Sequence, residues 1–207
     1  MPYARDERHA LVDTMRAVGP DAPTLCGDWT ARDLAAHLVL RERRLDAAPG
    51  ILIGALSGYT DRVQHGIARR DWNTLLDDVR SGPPVWSPFR LVDEKANLGE
   101  MFVHHEDVRR ARPDWQPRAL SSDLQDRLWA LAKQTGRLGY RRSPVSVVLE
   151  RPDGGRETVR SAGSSTVTLR GEPAELLLHA FGRDEVRIEF DGAPGDVAAL
   201  AALDRGF

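Results

Sequence analysis

The sequence predicts a mainly α-helical protein that ends in a small α+β domain. Three observations carry this reading. Apolar residues recur at helical spacing through the first 139 residues. After about residue 140 the period shortens toward alternation, with β-branched residues and turn signals. The composition, 41% hydrophobic and 29% charged over 207 residues, is that of a folded globular chain. The expected division is a helical bundle over 1–140 and an α+β domain over 141–207.

The elements follow in order. "YARDERHALVDTMRAVG" carries apolar residues at 11, 12, 15 and 18 and stops at Gly19-Pro20. "LCGDWTARDLAAHLVLRERRLDAA" opens a second helix, with Thr30 as N-cap and Asp33 in the first turn. Pro49-Gly50 marks the next break. "ILIGALSGYTDRVQHGIARR" is a third helix, weakened by Gly54 and Gly58. "DWNTLLDDVRSG" is short and ends at Gly82-Pro83-Pro84. After the irregular "PPVWSPFRL" comes a helix containing "NLGEMFVHHEDVRRA", closed before Pro113. "SSDLQDRLWALAKQTGRLG" is a helix capped by Ser122 and closed near Gly136 or Gly139. Beyond it, "PVSVVLE", "ETVRSAG" and "STVTLRG" read as strands, the first two joined by the turn "RPDGGR". "GEPAELLLHAFGR" is a helix with Pro173 near its first turn. "EVRIEF" reads as a strand and "GDVAALAALDR" as a closing helix.

The formal net charge is -2, which argues against a protein built to grip nucleic acid or an anionic membrane. No apolar run is long enough for a membrane span. "MPYARDERHA" has no apolar core, so no signal peptide is expected. One cysteine, Cys26, allows no internal disulfide. A cytoplasmic protein, monomeric or a homodimer, is the expectation.

The segment "NLGEMFVHHEDVRRA" concentrates His104, His105, Glu106 and Asp107 behind Glu100. At about 100° per residue, Glu100 and His104 form an i,i+4 pair, with Asp107 about 60° away. His105 points about 100° off and Glu106 to the back of the helix. A catalytic zinc site takes three protein ligands, so a third is needed from elsewhere. His37 is the best candidate, at the margin of the apolar stripe formed by Leu34, Leu38 and Leu45, with Asp33 one turn before it. The residues alone leave two readings open: a divalent metal site, or an ordinary surface pair beside a hydrogen-bonded core histidine.

"LCGDWTARDLAAHL" together with "GEMFVHHEDVRRA" resembles the metal-binding bundle of the mycothiol-dependent maleylpyruvate isomerase family, within the DinB-like superfamily. The resemblance implies a DinB-like four-helix bundle with His37, Glu100 and His104 as metal ligands and Asp107 in support. "GEPAELLLHAFGR" is similar to the family's C-terminal domain, which implies a sterol-carrier-like α+β fold. The double histidine in "VHHEDVRRA" sets the chain apart from the family's common pattern. The implied cofactors are Zn2+ or another divalent metal and, further, mycothiol. The implied partners are a small-molecule thiol and a small carboxylate substrate. The arginine-heavy basic set, with only Lys95 and Lys133 as lysines, fits an actinobacterial type of host that makes this thiol.

Two histidines and a carboxylate leave a coordination position open for thiolate, water or substrate. The expected activity is a thiol-dependent isomerase or S-transferase. A metal-dependent hydrolase using bound water and a non-catalytic metal-binding or regulatory protein are the alternatives. Asp107 would orient a ligand imidazole, and Arg183 in "AFGR" is the candidate for holding a substrate carboxylate. Cys26 reads as a structural thiol, His105 as an alternative ligand, and His179 as a satisfied core histidine. The five tryptophans read as packing anchors.

Overall fold

The structure is a computed structural model that describes residues 3–48, 53, 57–87 and 93–205, with the side chains of 93–96 left aside. The Pro49-Gly50 break, Gly54 and the end of "PPVWSPFRL" lie outside the described residues. The chain divides into two compact units, Met1–Trp115 and Gln116–Phe207.

The first unit is helical: α1 (Tyr3–Val18), α2 (Ala31–Arg43), α3 (Ser57–Ala68), α4 (Trp72–Ser81) and α5 (Asp93–Arg110). α1 packs on α5 and α4, while α2 packs on α3 and α4. The apolar stripes that predicted these helices meet in one core. Leu11, Val12 and Met15 of α1 join Leu34 and Leu38 of α2, Leu75, Leu76 and Val79 of α4, and Met101 and Val108 of α5. Each fully buried side chain of this size contributes about 1.5–3 kcal/mol of transfer free energy. Leu45, expected on the same stripe, lies beyond the end of α2 and is exposed. The helix closes at Arg43, so its periodicity no longer steers that residue inward.

Polar locks fix the helices within this unit. The Arg8 guanidinium on α1 grips Glu42 of α2 with two hydrogen bonds, 2.6 and 2.9 Å, and also donates to the Val79 carbonyl of α4. Both charged groups are buried. His105 of α5 is turned toward α1, where Nδ1 meets Glu7 Oε1 at 2.6 Å and Nε2 meets Thr14 Oγ1 at 2.8 Å. Glu106 accepts from Arg109 and Arg110 on its own helix.

The second unit opens with α6 (Ser122–Gly139), followed by β1 (Ser146–Glu150), β2 (Arg156–Arg160), β3 (Thr166–Arg170), α7 (Pro173–Ala180), β4 (Glu189–Asp191) and α8 (Pro194–Ala201). The sheet order is β2-β1-β3-β4, with β1 parallel to β3 and the other neighbours antiparallel. The two compact units part between 115 and 116. The reason is packing: α6 lies against α7 and β2, so a helical segment belongs to the α+β unit. Gly139 permits this approach, because a Cβ there would stand 2.3 Å from the Ala180 carbonyl oxygen. The N-cap of α6 is Ser121 rather than Ser122; its hydroxyl accepts from the Leu124 amide. Of "EVRIEF" only Glu189 and Phe190 join a ladder, which continues to Asp191, and all three residues of this edge strand are exposed. No helix among the described residues is long and apolar enough to cross a membrane.

Candidate metal centre

α2 begins where Thr30 closes a capping box. Its side chain accepts from the Asp33 amide, and the Asp33 carboxylate accepts from the Thr30 amide at 3.0 Å. This fixes the start of the helix and hence the phase of His37 two turns in. His37 is buried, with its ring 5.1 Å from the Trp29 ring. Arg41 follows one turn later on the same face.

α5 presents Glu100 and His104 toward His37 of α2, and Asp107 toward the loop that precedes α2. Glu100 Oε1 lies 3.4 Å from His104 Nε2 and 3.9 Å from His37 Nε2. The two imidazole rings stand 5.7 Å apart, edge to face. The ligand atoms of His37, Glu100 and His104 all fall within 4.8 Å of one another. The structure thus brings together the three residues that the sequence singled out, from two helices far apart in the chain.

Further polar groups surround this triangle. The Arg41 Nε is 3.5 Å from Glu100 Oε1, and its Nη1 donates to Asn97 Oδ1 at 3.0 Å. On the other side of the His104 ring, Nδ1 is 3.0 Å from Asp107 Oδ2 and 3.8 Å from Cys26 Sγ. The Cys26 thiol itself donates to Asp107 Oδ2 at 3.0 Å. The loop before α2 holds Cys26 there. The Leu25 amide donates to the Asp107 carbonyl, the Cys26 amide to Thr24 Oγ1, and the Thr24 hydroxyl to the Trp29 carbonyl. Gly27, at φ +62°, makes the turn that lets the chain leave Cys26 and enter α2.

Burial pushes the His37 imidazole below its ordinary pKa, against the pull of Glu100. Burial opposes the charge on Glu100, yet hydrogen bonds from His104 and His37 and the Arg41 charge hold its carboxyl well below the carboxylate norm. Burial also opposes protonation of His104. Its bonds to Asp107, Cys26 and Glu100 outweigh that and raise it well above the usual value. Without a cation, then, His104 carries the positive charge that its acidic neighbours require.

A neutral imidazole pair and one carboxylate are a donor set for a divalent cation. Residues 4–85 match the mycothiol maleylpyruvate isomerase N-terminal domain. This part of the chain is similar to that family's N-terminal domain. The isomerase-type domain so matched runs from α1 through α4 and carries His37, Arg41 and Cys26, whereas Glu100 and His104 on α5 lie beyond it. No curated protein and no solved structure matches the chain.

Arg183 lies in the second unit, where its Nη1 donates to the Phe181 carbonyl at 2.7 Å. His105 stands apart from the triangle, held by Glu7 and Thr14. Sequence reasoning passed over Arg41 and Asn97. The spacing 37/41 carried a signal for Arg41, since an i+4 neighbour shares the face of His37. Cys26 had no such signal, because its partners are 78 and 81 residues away.

Proposed function

We propose that His37, Glu100 and His104 bind a divalent metal, zinc first among the candidates, in an enzyme that uses a small thiol to isomerise or transfer onto a small carboxylate substrate. The observation that carries the reading is the convergence of three donors of suitable type within 4.8 Å. A tetrahedral ion with bonds near 2.1 Å needs donor separations of about 3.4 Å. The Glu100–His104 separation already has that value, and the His37–Glu100 separation of 3.9 Å needs only a small side-chain movement. The residues fit the ion.

When bound, the metal would supply Lewis acidity and an open position for a thiolate or water. The chain's own side chains do the rest. The Asp107 carboxylate keeps a proton on His104 Nδ1, which leaves the Nε2 lone pair facing Glu100. Trp29 against His37 narrows the freedom of the ring. Arg41, with Nε beside Glu100 and Nη1 on Asn97 Oδ1, positions the Glu100 carboxylate, and Arg183 keeps the proposed task of holding a substrate carboxylate. The match to the mycothiol maleylpyruvate isomerase N-terminal domain supports the thiol-dependent reading over a water-using hydrolase. It also supports a DinB-like bundle, while a sterol-carrier-like second unit and a reducing cytoplasmic setting for the thiol remain part of the proposal, on the resemblance of the sequence motifs alone.

The test uses cobalt in place of zinc. Metal analysis of His37→Ala and Glu100→Gln, each made in Cys26→Ser so that no cysteine can hold the ion, should show at least a large fractional loss against Cys26→Ser. Addition of a small thiol to cobalt-loaded Cys26→Ser should generate a thiolate-to-cobalt charge-transfer band, since the protein then contributes no sulfur donor of its own from cysteine. Equal metal content in all three proteins removes the site. Metal without the band removes the thiol chemistry.

A further inference from the structure

His104 offers its second ring nitrogen to a different triangle. Cys26 Sγ, His104 Nδ1 and Asp107 Oδ2 lie 3.0, 3.0 and 3.8 Å apart, and they also qualify as a group able to hold a metal ion. A tetrahedral zinc bound to sulfur at about 2.3 Å and to nitrogen or oxygen at about 2.1 Å needs edges of about 3.4–3.6 Å. Each observed edge is within about 0.6 Å of that range. The three donors are set by structure rather than by chance rotamers. Asp107 is fully buried on α5, and the Leu25 amide ties the loop carrying Cys26 to the Asp107 carbonyl. A carboxylate with no solvent exposure favours a cation beside it. Cys26 is half-buried, which leaves an approach from solvent.

We propose that Cys26, Asp107 and the Nδ1 atom of His104 form a second, thiolate-containing site for a thiophilic divalent ion such as zinc or cobalt. Sulfur, nitrogen and oxygen donors together select such ions over magnesium or calcium. Binding releases the thiol proton of Cys26 and the Nδ1 proton of His104 to solvent, and nothing is oxidised or reduced. The ion takes the place of the hydrogen bonds that now join the three groups. The two sites share one imidazole, so filling one weakens the other. The thiolate site lies at the opposite edge of the same ring, on Nδ1 rather than Nε2. The proposal does not require the first site to be the working one.

The experiment is a cobalt titration, free of added thiol, on His37→Ala and on Glu100→Gln, which both weaken the first triangle. Either protein should develop a thiolate-to-cobalt charge-transfer band with the first equivalents, and adding Cys26→Ser to either should abolish it. Zinc should also slow alkylation of Cys26 in both variants by about tenfold or more, reversibly with a chelator. Absence of the band in both variants, or alkylation that zinc leaves unchanged, overturns the second site. Cys26→Ser alone reads the first site by itself. Retained metal there leaves the first reading intact whatever becomes of the second, while loss of all metal there with the band present in His37→Ala assigns the ion to the second site and removes the first.

Discussion

The Asp107 carboxylate stands 3.0 Å from Nδ1 of His104, on the side of the ring opposite Glu100. An ionised carboxylate only accepts, so it keeps the proton on Nδ1 and commits Nε2 to the space between α5 and α2. This single contact decides which nitrogen can serve a cation near His37.

The first prediction concerns that contact. Asp107→Asn retains the shape of the side chain but removes its charge and its fixed acceptor role. Zinc affinity measured by chelator competition should fall about 10–100-fold, with the helical circular dichroism unchanged. An affinity equal to wild type would show that Asp107 does not govern the ring.

Metal binding should release protons at neutral pH. In the metal-free protein His104 is held well above its ordinary pKa, so the imidazolium is the prevailing form. A cation on Nε2 needs that lone pair, and the proton on it must leave. Isothermal titration in buffers of different ionisation enthalpy should give a release near one proton per metal at pH 7, falling as pH rises through the raised pKa. A release of zero at pH 7 would contradict it.

How much of this was legible beforehand depends on sequence distance. Glu100 and His104 are four residues apart on one helix, and their shared face followed from helical geometry alone. Thr30 and Asp33 announced the start of α2, and the capping box forms as the spacing implied. His37 was readable as a helix-margin histidine, but its meeting with Glu100 depends on how α2 and α5 pack, which no local pattern encodes. The same holds for Cys26. Read alone it was a structural thiol; its thiol in fact donates to Asp107, 81 residues on. The role of α6 was hidden for a related reason. Its periodicity announces a helix, while its partner, α7, appears only once Gly139 and Ala180 are seen to touch. "EVRIEF" failed as a full strand because edge pairing reached only two of its residues, Glu189 and Phe190.

The buried Arg8–Glu42 pair yields a stability prediction. Glu42 is one residue beyond Arg41, so the pair anchors the end of α2 that carries the site. Glu42→Ala leaves the Arg8 guanidinium buried without its bidentate partner, which costs about 3–5 kcal/mol. A double change to well-packed apolar residues should recover most of it. Urea unfolding of the three proteins would check both statements, and a loss below about 1 kcal/mol for the single variant would refute the first.

The last prediction concerns acid. His179 on α7 is buried, and the Tyr140 hydroxyl donates to its Nδ1 at 2.6 Å. Burial, and next the Arg205 charge, lower its pKa to about 3, while burial raises the Tyr140 phenol and keeps it a donor. The folded chain therefore holds this imidazole neutral, whereas the unfolded chain protonates it below about 6.5. The unfolded state then binds the additional proton, so stability falls as pH drops from about 6.5 toward about 3, by about 1.4 kcal/mol per pH unit from this group. His179→Gln keeps an acceptor for Tyr140 and cannot titrate. Its acid limb of stability against pH should be shallower than wild type by that slope. An NMR titration in which His179 protonates near pH 6.5 in the folded protein would defeat the prediction.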